Sequence, residues 1–481
     1  MLDVAIIGCG ITGAATAWEL SKYKLETAVL EKENDVAMGT TRTNGGIIHA
    51  GYDPAPGTLM AKLNVEGARL AGDICRDLDV PYKKTGSLVL AFSEAELQTI
   101  RSLYERGIKN GVSGLELIDG EKTRELEPCI SLKVAGALLA PSAAIVNPWE
   151  YALALAETAA RNGVHFHFSC GATKIARQDD GYAITTPKGI FLAKTVINAA
   201  GLYADSVHEM AGDKEFTIQP NRGEYFVLDK SEGNRMSRVI FQCPSSDGKG
   251  VVINPTTHGI LLVGPNAEDV PLDKARITTA EGLRFVAEKV KKTDPCIDLG
   301  KSIRNFSGSR AIPDTGDFII AESKTAKGFI NLAGIKSPGL SAAPAIAKMA
   351  AKLLSETGVK LERKESFVKK RRKIRIHELK EEEINTLVAR QPAYGRVVCR
   401  CETVTEGEIL DALKSPIPPR TLDAVKRRCG AGLGRCQGGF CGPRVLEILA
   451  RELKLPPAEV FMDSDGSFIV LGSNREGFKN V

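Results

Sequence analysis

The chain predicts an α/β protein built on a parallel sheet, with an antiparallel sheet set into it and a small helical domain towards the C-terminus. Three observations carry this. A short apolar run, Leu2 to Ile7, opens directly into Gly8-Cys9-Gly10-Ile11-Thr12-Gly13. Alternating apolar and polar runs fill the middle of the chain. Of the 11 cysteines, those at 399, 401, 429, 436 and 441 crowd together among glycines.

Length and composition bound the reading. At 481 residues the chain has room for roughly two to four domains of about 150 residues each. With 43% hydrophobic and 26% charged residues it reads as an ordinary globular protein. The net charge of +5 gives no reason to invoke nucleic acid. No run of 18 or more apolar residues encodes a membrane span, and the first strand begins too early to leave room for a signal peptide. The other six cysteines are scattered singly, unlike a disulfide framework, so a reducing cytoplasm is expected.

Leu2 to Ile7 has the character of a buried parallel strand, 12–22 reads as a helix, and Thr27 to Leu30 as the next strand. Gly8 permits the tight turn, Gly10 lets a pyrophosphate approach the backbone, and Gly13 allows close helix–strand packing. The N–H groups of Ile11 and Thr12 open the helix, where an anion is favoured. Glu31, 18 positions beyond Gly13 and followed by Lys32, can bind both ribose hydroxyls and so disfavours a 2′-phosphorylated nucleotide. A Rossmann-type nucleotide site follows.

The turn alone does not separate FAD from NAD. Met38-Gly39-Thr40-Thr41-Arg42-Thr43-Asn44-Gly45-Gly46-Ile47-Ile48-His49-Ala50-Gly51-Tyr52 resembles the second flavin-contacting segment of the FAD-dependent glycerol-3-phosphate dehydrogenase and L-2-hydroxyglutarate oxidase families, within the D-amino-acid-oxidase-like superfamily. Thr195 to Gly201 resembles the strand returning to the nucleotide, Gly308-Ser309-Arg310-Ala311-Ile312-Pro313 the substrate-side arginine motif, and Asn331 to Leu340 the segment beneath the isoalloxazine. The resemblance spans 1–355 and implies FAD contacts at Thr40, Thr41, Arg42, Asn44, Gly45, Gly46, Ile47, Ala172, Ala200, Gly201, Gly334, Lys336, Ser337, Pro338, Gly339 and Leu340. A helix over Ala342–Leu354 could aim its positive end at the flavin pyrimidine.

Runs at Ser87–Phe92, Gly223–Asp229, Gly250–Asn254 and Ile260–Gly264 suit an antiparallel substrate sheet. The expected FAD-binding domain is therefore discontinuous, 1–85, 143–205 and 310–356, with a substrate domain over 86–142 and 206–309. Asn221-Arg222-Gly223-Glu224-Tyr225-Phe226 resembles a strand of the L-2-hydroxyglutarate branch. A guanidinium can fork onto carboxylate or phosphate oxygens, so Arg310 is the first choice for an anionic substrate, with Arg222 and Tyr225 behind it. Oxidising an alcohol also needs a base for the hydroxyl proton. His49, in the flavin-contacting stretch, and His258, in a turn between strands, are the candidates; His165, His167, His208 and His377 lack motif context.

A basic run over 363–375 lies in an expected charged linker, 357–394; it reads as a solvated face, with docking to an acidic partner or a membrane surface as the alternative. Beyond it, Cys399-Arg400-Cys401 and Cys436-Gln437-Gly438-Gly439-Phe440-Cys441 give a C-x-C…C-x4-C spacing. Residues 395–450 resemble a bacterioferritin-associated-ferredoxin-like 2Fe–2S domain, which implies Cys399, Cys401, Cys436 and Cys441 as ligands and leaves Cys429 surplus. Zinc is the alternative reading of four thiolates, and free thiols a third. Thr405 and Thr421 suit helix N-caps and Pro443 a first turn; 451–481 is a tail. Gly430-Ala431-Gly432-Leu433-Gly434 mimics a dinucleotide turn without a strand before it.

The expected activity is that of a FAD-dependent dehydrogenase oxidising a small anionic hydroxy compound, first sn-glycerol 3-phosphate to dihydroxyacetone phosphate. L-2-hydroxyglutarate, or a secondary amine or amino acid, is the alternative substrate. One dinucleotide fingerprint, taken by FAD, implies that an NAD- or quinone-linked acceptor sits on a second redox subunit. A non-catalytic electron-transfer subunit is the reading from another class.

Overall fold

A computed structural model describes residues 1–244 and 250–472, so residues 473–481 of the expected tail lie outside the described residues. The chain forms two compact units, one of residues 1–32 and 36–371, the other of residues 33–35 and those from 372 onward.

The first unit holds two large sheets. In the parallel one, Leu2–Ile7 lies between Thr27–Leu30 and the second half of Gly189–Asn198. His165–His167 extends it on one side and Phe329–Ala333 on the other. Parallel strands covered on both faces need unbroken apolar sequence, and Val4 to Ile7 and Thr27 to Leu30 are all buried. The crossover helix runs Ile11–Leu20, one residue ahead of the expected start. Lys174–Gln178 and Gly181–Thr186 add an antiparallel hairpin.

The second sheet has nine strands and is antiparallel except where Val239–Gln242 runs parallel to Ser87–Ala91. Its expected strands are present as Ser87–Ala91, Ile218–Leu228, Val252–Pro255 and Leu261–Gly264. Ile218–Leu228 begins earlier than its apolar pattern suggests because it pairs along its length with Ser302–Pro313. That long ladder overrides the weak strand preference of Pro220 and Asn221. Leu88, Ile253 and Val263 pack here with Val286 and Val290 of the helix Ala280–Thr293. A small third sheet pins Ile47–Ile48 against Ala144–Val146.

Most of the basic run is exposed, as expected of a solvated face, and Arg371 and Arg375 are its buried exceptions. Arg371 is 5% exposed and its Nε donates to Glu157 at 2.7 Å, while Lys369 pairs with Asp77 at 2.8 Å. The acidic residues that hold these charges stand on the helices Leu59–Asp77 and Pro148–Arg161, far away in sequence.

In the second unit the helices Glu406–Leu413, Leu422–Cys429 and Gly442–Leu453 enclose a core of Ile409, Val425, Ile448 and Leu449. Thr405 accepts from the Glu408 N–H and Thr421 from the Ala424 N–H, as the capping signals indicate. Pro443 sits in the first turn of its helix. The glycine string 430–434 follows a helix, so it is no dinucleotide turn. Among the described residues no helix is long and apolar enough to cross a membrane.

Candidate active site and cysteine centre

Sterics fix the glycines after the first strand. Gly8 has φ +99°, and a Cβ on Gly13 would lie 2.0 Å from the Gly8 carbonyl oxygen. A Cβ on Gly10 would meet only Thr41 Oγ1, at 3.2 Å, and would fill the cradle at the helix mouth. Thr41 Oγ1 accepts from the Ile11 N–H at 2.9 Å, which draws the Thr40–Arg42 turn to that mouth beside Thr12. Glu31, at the end of the second strand, accepts from the Cys9 N–H at 2.6 Å. Its own carbonyl takes the Cys170 N–H at 2.8 Å, which brings Ala172 alongside. Lys32 Nζ lies 3.8 Å above the Tyr203 ring, in the turn opened by Ala200 and Gly201. These expected cofactor residues gather at one end of the parallel sheet.

The glycine segment is tied down residue by residue. Asn44 Nδ2 donates to the Thr41 carbonyl at 2.8 Å, and Asn44 Oδ1 accepts from the Gly46 N–H at 2.8 Å. Gly46 has φ +68°, and a Cβ there would come 2.2 Å from the Val146 carbonyl oxygen, so Ile47 enters its strand only through glycine. The arginine motif closes on this segment: Thr40 Oγ1 donates to the Ser309 carbonyl at 2.7 Å, and a Cβ on Gly308 would lie 2.0 Å from the Thr43 carbonyl oxygen. Gly334, Lys336, Ser337 and Pro338 lead into the helix Gly339–Glu356, which starts ahead of the expected Ala342. Its first turn, with Leu340, carries no acidic residue and no side-chain cap, which leaves its positive end for a ligand.

His49 lies between these pieces. Its N–H donates to Ser341 Oγ at 2.8 Å, and its Nε2 is 3.3 Å from Ser337 Oγ. The Asn64 amide pairs with the His49 carbonyl at 3.2 Å and the Gly51 N–H at 3.1 Å. The His49 ring tilts over Phe241, 5.8 Å between centroids. His258, by contrast, is tied by Nε2 to the Asn147 amide at 2.7 Å, which accounts for it as a hydrogen-bonded turn residue.

Across the second sheet Asn221 faces Arg310, Gly223 faces Gly308 and Tyr225 faces Phe306. Arg310 Nη1 donates to Asn221 Oδ1 at 2.8 Å. Tyr225 stacks on Phe306 at 4.7 Å, and burial raises its phenol against the opposing influence of the Arg310 charge. Arg222 is a correction to the expected site. A strand sends neighbours to opposite faces, and Arg222 is 3% exposed, with Nη2 donating to Glu268 at 2.6 Å and Nε 3.4 Å from Glu224. Its charge is spent on internal ion pairs.

In the second unit the four expected thiols pair two by two. Cys401 and Cys436 are 3.8 Å apart, sulfur to sulfur. A hydrogen bond from Cys441 draws the Cys399 thiol down to about 6, helped by the N–H groups of Gly432 and Glu402. The same bond raises Cys441, while the Phe440 and Gly438 N–H groups lower Cys436. A Cβ on Gly434 would lie 2.3 Å from the Cys401 Cβ, so that loop closes only over glycine. Among the described residues no three acidic, histidine or cysteine side chains converge on a single-ion site. Two thiol pairs with backbone N–H support fit the four-cysteine ligation of a 2Fe–2S core. Cys429 faces inward instead: its Sγ is 3.2 Å from the Val425 carbonyl, and burial pushes its thiol up to about 12.

A family model described as FAD dependent oxidoreductase matches residues 3–353. The chain belongs to the FAD-dependent oxidoreductase family. A second model, for a BFD-like 2Fe-2S binding domain, matches residues 397–451. This FAD-dependent oxidoreductase is 50% identical over 477 residues, 99% of both chains, to a glycerol 3-phosphate dehydrogenase of Caloramator mitchellensis. It is 37% identical over 365 residues to a glycerol 3-phosphate oxidase of Mycoplasma genitalium, covering 74% of this chain and 94% of that one. Among solved structures, dithionite-reduced L-alpha-glycerophosphate oxidase of Mycoplasma pneumoniae with FAD bound aligns at a TM-score of 0.74 and 34% identity, over 77% of this chain and 98% of that one. The cofactors of the present chain are FAD and a 2Fe–2S cluster.

The oxidoreductase's site also uses residues that motif reading passed over. Asn221 accepts from Arg310, Ser341 and Asn64 hold the His49 backbone, and Asn254 reaches the Gly45 carbonyl. Only Asn221 carried a signal, as the residue cross-strand from Arg310 once a sheet is assumed.

Proposed function

We propose that this chain oxidises sn-glycerol 3-phosphate to dihydroxyacetone phosphate and sends the electrons through its 2Fe–2S domain to a second redox subunit. The observation that carries the reading is the Arg310 guanidinium, on the sheet face that closes over the flavin segment at Thr43. The full-length likeness to a glycerol 3-phosphate dehydrogenase, cysteine domain included, supports it. Arg310 binds the phosphate bidentately and Asn221 fixes its fork. His49, steadied by Ser337 and Ser341, takes the proton of the carbinol hydroxyl at Nε2. Phe241 and Tyr225 wall the site with aromatic surface that excludes water. FAD, when bound, supplies the two-electron acceptor, and a 2Fe–2S cluster supplies one-electron exit.

With Arg222 spent internally, the stretch that resembles the L-2-hydroxyglutarate branch offers no second anion clamp, which favours one phosphate over two carboxylates. An anaerobic panel of sn-glycerol 3-phosphate, L-2-hydroxyglutarate and proline-type amines tests the substrate by loss of flavin absorbance. Fast bleaching by glycerol 3-phosphate alone is expected; fast bleaching by another member alone would remove the assignment.

A further inference from the structure

Asn254 stands on the strand Val252–Pro255, whose Ile253 points into the substrate-sheet core. Alternation turns Asn254 to the other face, towards the flavin-contacting segment. There its Nδ2 donates to the Gly45 carbonyl, and a Cβ on Gly45 would sit 3.2 Å from that nitrogen. Because Gly45 presents an acceptor, the amide orientation is settled and the oxygen is the far end. Asn254 is 2% exposed, and its Oδ1 is buried with no partner among the described residues.

A buried carboxamide oxygen without a donor is costly, so a donor from outside the polypeptide is the economical explanation. Two nearby backbone N–H groups are already taken. Asn44 already holds the Gly46 N–H at 2.8 Å, and Ser341 holds that of His49 at 2.8 Å. The two loose ends of Asn254 therefore divide their work: one pins the glycine segment, and the other is presented beside it.

We infer that Asn254 is a positioning residue for the cofactor, its Oδ1 accepting a hydrogen bond from a ring N–H of the isoalloxazine while its Nδ2 anchors Gly45. The isoalloxazine is the flat polar group that a Gly45-Gly46 backbone without side chains admits closely, and its N–H edge is a donor this oxygen lacks. The same amide thus couples a substrate-sheet strand to the cofactor, and the ring seat depends on a residue outside the nucleotide-binding motifs.

The test is reconstitution of apoprotein with FAD, in the wild type, Asn254→Ala and Asn254→Leu, with the melting temperature of each apoprotein as a folding control. Loss of one hydrogen bond to the ring should raise the FAD dissociation constant about tenfold and shift the visible flavin spectrum in the absence of substrate. Asn254→Leu, which keeps the volume, should show the same loss with apoprotein stability close to wild type. Unchanged FAD affinity and spectrum in both variants would overturn the inference. So would unchanged affinity with a raised KM, because the donor would then be the substrate hydroxyl.

Discussion

Arg310 and Asn221 face each other on adjacent antiparallel strands, and the arginine donates from Nη1 to the asparagine Oδ1 at 2.8 Å. The pair aims the Arg310 guanidinium without neutralising it, which is what the proposed anion site needs. An aspartate at 221 would quench the charge; an asparagine only aims it.

Arg310→Ala should therefore raise KM for glycerol 3-phosphate by an amount corresponding to about 2–5 kcal/mol, with FAD retained. Asn221→Ala should give a smaller rise in KM, because the guanidinium stays but loses its aim. Steady-state kinetics on FAD-replete protein check both. An unchanged KM for Arg310→Ala would take that residue out of the site.

Arg222 should behave in the opposite way. Its removal leaves Glu224, which is fully buried, without its cation. Breaking such a buried pair typically costs about 3–5 kcal/mol. Arg222→Met should lower the urea midpoint, with KM near wild type in whatever folds.

These two arginines show what the sequence makes legible. The glycine spacing, the acidic residue at 31 and the cysteine spacing each encode a local constraint, and the structure packs Gly13 on Gly8, bonds Glu31 to the Cys9 N–H and sets Cys401 beside Cys436. Arg222 and Tyr225 belong to a strand whose inward face depends on register with Ser302–Pro313, a segment read only as an arginine motif. A one-residue choice of face decides between substrate clamp and internal ion pair. Asn254, Asn64 and Ser341 act through backbone groups distant in sequence, and no motif records such contacts. Arg371 was obscured in a basic run because its partner Glu157 lies on a distant helix.

His49→Asn should keep FAD and substrate binding but lose about 10²–10⁴-fold in kcat, the usual worth of a positioned base. Ser337→Ala, which removes the hydroxyl 3.3 Å from His49 Nε2, should cost less and change the pH dependence of kcat. Rapid-mixing measurement of flavin reduction across pH is the check. A full-rate His49→Asn would assign the proton to another acceptor.

Cys436→Ser should remove or destabilise the 2Fe–2S cluster while leaving flavin reduction by substrate intact, because the thiols and the flavin segment belong to different compact units. Cys429→Ser should keep full iron and labile sulfide, since that thiol faces Val425 and is held protonated by burial. Iron and sulfide analysis of protein purified without oxygen tells the two apart. Equal iron loss in both variants would place Cys429 among the ligands.

The most direct test of the account is an anaerobic titration of the holoenzyme with sn-glycerol 3-phosphate, following flavin absorbance and the low-temperature EPR signal of the cluster in the same sample. The flavin should bleach and a reduced 2Fe–2S signal should rise with it, whereas Cys436→Ser should bleach without the signal. A flavin that stays oxidised with glycerol 3-phosphate would contradict the proposed substrate. A bleached flavin beside a cluster that never reduces would contradict the exit route.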